Sequence, residues 1–473
     1  MRLNAFNLQN TPLSYQTSPL KREKQKSNVI PNIMYVPLNK SSFPIGESAD
    51  KRKGVQALYK LLMCLGILIS CISVKAQKVN SELQHYIEFA VDNNPNLKAM
   101  DLKYQQALEK VPQAKALPDP TFSAGIFIQP IETRVGAQKA KLSISQMFPW
   151  FGTLNAKEQQ ASLQAHAVYL KYLDAKSALE MKVSTAWLDL ILTDRKILFT
   201  QKRVEILSVL EKQSLSRYES NQTDMVNVLY IQMLKEELIS KLELFKDKRE
   251  TQQVGFNKLL NRNQKTGIVT PSDDSFLLSS TINMDEMEFT NHNRINSWNK
   301  LVESAQYAEK ASKLNGLPKL GLGLDYAILS KRSDMDLADN GQDAIMPMIS
   351  VSIPIFRKKY KAATKLTQLQ QMQYEEEKQA ELNQLVLEKQ KAIELYKSGL
   401  RDTELYQNLL IKAKQSYEIL SSSYESSTKR YEEVLNMQQK IWIYEQKQIE
   451  AQIKVQKSLA QFKYLDANQS LEK

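Results

Sequence analysis

Cysteine is almost missing from this 473-residue chain: only Cys64 and Cys71 occur, and both lie in the first 76 residues. Any body downstream of them therefore has neither a disulfide framework nor a thiolate nucleophile. Histidine is nearly as scarce, with His85, His166 and His292 scattered, and no HExxH, Walker A, GxSxG or GxGxxG pattern occurs. Gly321 and Gly323 fall within an alternating segment that lacks the third glycine of a phosphate loop. With no convergent acid, base and nucleophile, the sequence gives catalysis no footing, and no cofactor or resident metal is expected. Met335, Met346 and Met348 have no His or Cys nearby and read as packing residues rather than a soft-metal site. Only 13 glycines occur in the whole chain, which leaves long stretches free to be helical.

The formal charge of +12 is uneven. Residues 1–76 carry 11 Lys/Arg against 3 Asp/Glu, which leaves +4 for residues 77–473. That remainder is too balanced for the basic stripe that nucleic acid requires. Residues 51–77 place a basic stretch before an apolar run from Leu61 to Val74 and then Val74-Lys75-Ala76, the order of a secretory signal peptide. Fourteen apolar residues are short for a spanning helix. Cleavage after Ala76, leaving Gln77 first, is the expected processing. Leu68-Ile69-Ser70-Cys71 also fits a lipobox, so lipidation at Cys71 stands as the alternative. Residues 1–50 are polar and without periodicity, an N-terminal extension with no assigned role.

From residue 77 the chain reads twice in one order, helix, two strands, then a very long helical stretch, over 77–282 and 283–473. Helical sequence from about Ser81 to Ala116 ends at Leu117-Pro118, and that from about Met284 to Asn315 ends at Gly316-Leu317-Pro318. Strands are predicted at about 119–130 and 138–148, and again at about 318–330 and 345–355. Phe122, Ala124, Ile126 and Ile128, and later Leu320, Leu322, Leu324, Tyr326 and Ile328, recur with the period of two that gives a strand unlike faces. LSISQMFPWFG (142–152) matches ISVSIPIFR (349–357), with serines alternating against aliphatics in both. Pro149 and Pro354 close these strands, because proline has no ladder donor and can open a helix.

Each second strand leads into about 110 residues rich in Ala, Leu, Lys, Glu and Gln, from about 154 to 260 and from about 358 to 465. These read as helical hairpins turning near their middles, around Asn221 and Ser427, with one arm of about 65 residues, or about 100 Å at 1.5 Å per residue. Ala392, Tyr396, Gly399, Thr403, Tyr406, Leu410, Ala413, Tyr417, Leu420 and Tyr424 alternate steps of four and three, the coiled-coil period. Val183, Ala186, Trp187, Leu190 and Ile191 form a wider stripe in the first copy. The fold class is therefore α+β, mainly α. Strands of about ten residues suit a tilted barrel crossing a bilayer, and four cannot close one without oligomerising. The same alternation would also serve a small soluble sheet capping an exported coiled-coil scaffold or adhesin.

The hairpin tips add the most specific signal. RYESNQTDMVNVL (217–229) and SYESSTKRYEEVL (423–435) share Tyr-Glu-Ser and Val-Leu, with ten residues from Tyr218 to Val228 and ten from Tyr424 to Val434. With the duplicated plan and the two strand-to-helix junctions, residues 80–470 resemble the TolC family of outer-membrane efflux proteins. The family carries glycine where this chain has Asn221 and Ser427, and Asn tolerates the left-handed turn better than Ser. The resemblance implies a homotrimer in outer-membrane lipid with a 12-stranded β-barrel and a helical tunnel reaching into the periplasm. It also implies a periplasmic adaptor and an inner-membrane pump of the proton-driven RND type as partners. The family's closing ring of tyrosine, basic and acidic side chains maps onto Tyr424, Lys429, Glu433 and Asn436, facing Tyr218 and Asn227. The segment 117–154 is most like the cation-efflux branch, which implies heavy-metal cargo; a secretion duct stands as the alternative.

Overall fold

The structure is a computed structural model of the chain and describes residues 82–271, 289–425 and 431–467. Ala76, Gln77, Cys71, Ser427 and Lys429 lie outside the described residues. In chain order the elements are α1 (82–93), α2 (Pro95–Lys115), β1 (Thr121–Thr133), β2 (Gly136–Phe148), α3 (Thr153–Glu219), α4 (Met225–Leu259), α5 (Asn293–Asn315), β3 (Lys319–Leu329), β4 (Ala344–Ser352), α6 (Arg357–Glu425) and α7 (Tyr431–Ala467). The order helix, hairpin of strands, long helix, shorter helix thus occurs twice.

Local chemistry sets the boundaries. Asn94 separates α1 from α2 because its side chain accepts from the backbone N–H groups of Asn96 and Leu97, with Pro95 at the first helical position. Both second strands stop before their prolines, at Phe148 and Ser352, as expected. The first strand runs past its predicted end: β1 continues through Pro130 to Thr133 because its register against β2 shifts between Ile126 and Ile131. That irregularity releases the proline from the ladder.

The long arms match expectation, with 67 residues in α3 and 69 in α6, each about 100 Å at 1.5 Å per residue. The hairpins do not turn at their middles, however. Their return arms, α4 and α7, have only 35 and 37 residues. A sequence rich in helix formers marks where helix is possible but not where another segment takes over the packing. Here α2 and α5 line the part of α3 that α4 leaves uncovered, and α5 packs along α6.

The predicted stripes are the packing faces. Val183, Trp187, Leu190 and Ile191 are buried in one core with Ile87, Leu97, Phe256, Leu260, Ile449 and Ile453, and Ala186 packs against it. The coiled-coil positions from Ala392 to Leu420 are buried or half-buried. At Gly399, α6 and α7 approach so closely that a β-carbon would stand 2.8 Å from Val455 Cγ2. Among the described residues no helix is long and apolar enough to cross a membrane.

Candidate functional site: an open sheet and two helical tips

The four strands form one antiparallel sheet in the order β1-β2-β3-β4, which joins the two repeats through β2 and β3. Register fixes its faces. Phe122 pairs with Ile144, Ile144 with Leu324, Leu322 with Ile349 and Leu320 with Val351, so the paired apolar positions expected from the alternation lie on one face. That face is bare: Phe122 is 67%, Ile126 83%, Ile128 97% and Ile349 79% exposed. The opposite face carries Ser123, Ser143, Ser145, Ser350, Gly321 and Gly323, with a Lys141–Asp325 ion pair in which the carboxylate is buried. Met147, Met346 and Met348 share this polar face. Met147 was not singled out from the sequence, because only register shows that it lies beside the β4 methionines. Among the described residues no helix packs substantially against either face, and β1 and β4 leave both sheet edges unpaired.

The loops at one end of the sheet are tied together. Gly136, at φ +139°, lies so close to the Ser330 carbonyl oxygen that a β-carbon there would stand 1.8 Å from it. The Gly341 N–H donates to the Val135 carbonyl at 2.7 Å, and Arg134 pairs with Asp339 at 3.0 Å. In the same loop Arg332 holds the Asp334 carboxyl down to about 2.

At the other extreme the first tip is built by a Schellman motif. Asn221, at φ +54°, follows the end of α3; its N–H donates to the Tyr218 carbonyl and that of Gln222 to the Arg217 carbonyl. The expected left-handed asparagine is therefore present. Tyr218 is exposed, and Asn227 donates to Thr223 Oγ1 at 2.9 Å within its own turn. Val228 and Val434, the matched valines of the two tips, are both buried. Glu433 is exposed in the first turn of α7. Tyr424 lies in the last turn of α6, and its side chain is outside the described residues. The structure brings Asn436 against the first hairpin, but through Tyr230, whose hydroxyl donates to Asn436 Oδ1 at 3.1 Å.

Sequence reasoning missed the seam between the two hairpins. From Asn436 a row of polar ties runs along it: Arg203 donates to Gln438 at 2.9 Å, Lys196 pairs with Glu450 at 2.6 Å, Lys457 with Asp189 at 2.6 Å, and Tyr464 donates to Asp174 at 2.9 Å. Asp189, Lys196 and Arg203 are seven residues apart, a heptad row of charges beside the apolar stripe of α3, and that spacing was the available signal. Burial alone would raise the Glu450 carboxyl, but hydrogen bonds from Lys196 and Lys447 outweigh it and hold the group below its ordinary value.

Above the seam, His292 is fully buried and caps α5, its Nδ1 accepting from the Arg294 N–H. Burial, with the neighbouring Arg294 guanidinium, lowers its pKa to about 4. Arg294 in turn pairs with Glu381 and Glu388 of α6. Among the described residues no group of three His, Cys, Asp or Glu side chains could hold a metal ion.

No family model and no curated protein matches the chain. Solved structures do. The outer membrane protein VceC from Vibrio cholerae superposes with a TM-score of 0.67 at 14% identity, covering 82% of this chain and 97% of VceC. CusC, whose crystal structures concern folding and transmembrane channel formation, gives 0.68 at 14% identity, covering 81% and 92%. The CmeC outer membrane channel of Campylobacter jejuni gives 0.65 at 14% identity, covering 83% and 87%. The chain has the fold of these outer-membrane channel proteins, the TolC-type fold.

Proposed function

We propose that this chain is the subunit of a trimeric outer-membrane efflux channel, a passive exit duct. The observation that carries this reading is the sheet: one face apolar and bare but for Gln146, the other polar, and two unpaired edges among the described residues. In water such a sheet would expose both an apolar patch and a template for aggregation. A bilayer accepts the apolar face, and edge-to-edge pairing of three sheets satisfies the free backbone groups in a closed barrel of twelve strands. The polar face then lines the pore.

The same reading extends α3, α4, α6 and α7 into the periplasm, where their tips meet an adaptor that bridges to an inner-membrane pump. Met225, Val226, Leu229 and Met233 form an exposed apolar row on α4 that suits a helical partner. The closing ring of Tyr424, Lys429, Glu433 and Asn436 takes Tyr230 as a further member, since Tyr230 is what Asn436 touches. Heavy-metal cations are the proposed cargo, on the resemblance of residues 117–154 to the cation-efflux branch.

The test is conductance in planar bilayers by the purified full-length protein, alongside heat-modifiable trimers in outer-membrane fractions. Trimers that conduct, and a Lys429→Ala/Glu433→Ala variant that conducts more, are the expected results. Protein absent from outer-membrane fractions and silent in bilayers overturns the channel in favour of an exported scaffold; a double variant with native conductance overturns the ring alone.

A further inference from the structure

The start of α6 is electrostatically unusual. Arg357, Lys358, Lys359, Lys361 and Lys365 fall within nine residues that contain no acid. Cations at a helix N-terminus oppose the helix dipole, so this placement is locally unfavourable. The corresponding start of α3, Thr153 to Ala156, has no charge, and the next two residues, Lys157 and Glu158, offset one another. Duplication alone therefore does not account for the cluster.

Three of these cations, Arg357, Lys361 and Lys365, line an open cleft of about 550 Å³ between the end of α5 and the start of α6, together with Lys313, Gly316 and Tyr360 among others. Gly316 and Tyr360 hold the two helices together, since a β-carbon at Gly316 would stand 3.4 Å from Tyr360 Cβ. The Arg357 guanidinium is fixed by donating to the Gly316 carbonyl at 2.7 Å. Glu309, the nearby acid of α5, is already engaged by Lys313 at 2.8 Å and by Gln368. Lys358, Lys359, Lys361 and Lys365 are exposed and have no carboxylate partner among the described residues.

The cleft begins where the apolar sheet ends. Ile353, Ile355 and Phe356 are all strongly exposed directly before Arg357, and Phe151, exposed at the equivalent turn of the first repeat, packs edge-on against Trp150. An aromatic and aliphatic rim followed at once by clustered cations is the order met at a bilayer boundary, where the cations reach lipid phosphates.

We propose that this cleft binds the phosphate headgroup of an anionic phospholipid in the periplasmic leaflet of the outer membrane, with Lys361 and Lys365 as its principal cations. This rests on the reading of the sheet as part of a barrel. The experiment is native mass spectrometry of the full-length protein in neutral detergent, titrated with phosphatidylglycerol, with phosphatidylcholine and with soluble glycerol phosphate. Phosphatidylglycerol should be retained about tenfold more tightly than phosphatidylcholine, and Lys361→Gln/Lys365→Gln should abolish most of that difference while Lys358→Gln/Lys359→Gln, outside the cleft, changes it less. Equal retention of the two lipids, or undiminished retention by Lys361→Gln/Lys365→Gln, overturns the site. Glycerol phosphate competing as well as the lipid makes it a free-phosphate site and overturns the lipid assignment. Cross-linking from position 361 to a periplasmic protein in cells, with no lipid preference, makes it a protein contact instead. Conductance measured in parallel separates the two readings: a conducting wild type without lipid preference loses only the cleft, whereas a non-conducting one loses the barrel.

Discussion

The two long helices, α3 and α6, differ in length by two residues yet live in different surroundings. α3 is packed by α2, α4, α5 and α7, and its stripe centred on Trp187 closes the largest core. Among the described residues α6 is packed mainly by α5 and α7 and leaves Leu366, Leu369, Met372, Leu405, Ile411 and Ile419 exposed. Their tips diverge as well: Leu229 is 48% exposed on α4, whereas its counterpart Leu435 on α7 is buried against Leu207 and Ile231. Along the long helices the first half thus closes the core while the second presents apolar surface that an isolated chain would not keep, and at the tips the contrast reverses. A duplicated frame can conserve helix length and strand pairing while its copies take separate jobs, because length is set along the axis and partnership by the faces around it.

The sharpest way to break this contrast is a matched pair of core and surface changes. Trp187→Ala should cost about 3–5 kcal/mol of unfolding free energy as a buried aromatic is deleted. Ile411→Asp should leave unfolding of the protomer nearly unchanged but reduce trimers on sizing in detergent. Similar effects of the two substitutions would erase the distinction between the helices. A second test uses acid. His292 titrates near 4 when folded and near 6.5 when unfolded, so the unfolded chain takes up the proton first and stability falls as pH drops from 6.5 toward 4, by on the order of 3 kcal/mol. Above 6.5 the group contributes no pH dependence. His292→Asn keeps a capping acceptor for α5 and should flatten that acid limb in denaturant titrations, while an unchanged limb would assign it to carboxylates such as Glu450. The smallest effect is at the first tip. Asn221→Ala should lose about 1 kcal/mol because alanine resists φ +54°, and Asn221→Gly should be neutral or slightly stabilising by thermal melts.

Much of this architecture was legible in the residues. Alternation exposed all four strands, and the steps of three and four exposed the packing stripe from Ala392 to Leu420, because both periods are written along a single element. The end of β1 was not legible, since Pro130 signals a stop that a bulge then bypasses. The short return arms follow from the expected turns at Asn221 and Ser427 and the hairpin ends near 260 and 465, but no residue in an Ala- and Lys-rich run records that α2 or α5 will take over the packing. At the tips, Asn221 announced its own conformation, but the meeting of Tyr230 with Asn436 depends on how the second hairpin lies against the first, and no local pattern carries that. The cations of α6 were visible in the sequence as a run; only the fold set three of them around a cleft beside the exposed apolar face.

The ion pairs of the seam also restrict how the hairpins can move past one another. α3 and α7 run antiparallel there, with Asp189 opposite Lys457 and Lys196 opposite Glu450. A slip of one heptad, about 10 Å, would set Asp189 against Glu450 in one direction and Lys196 against Lys457 in the other. Opposite signs one heptad apart on each rod act as a ratchet with no next tooth: the second hairpin can roll or splay away from the first, but a heptad of axial travel meets like charge either way.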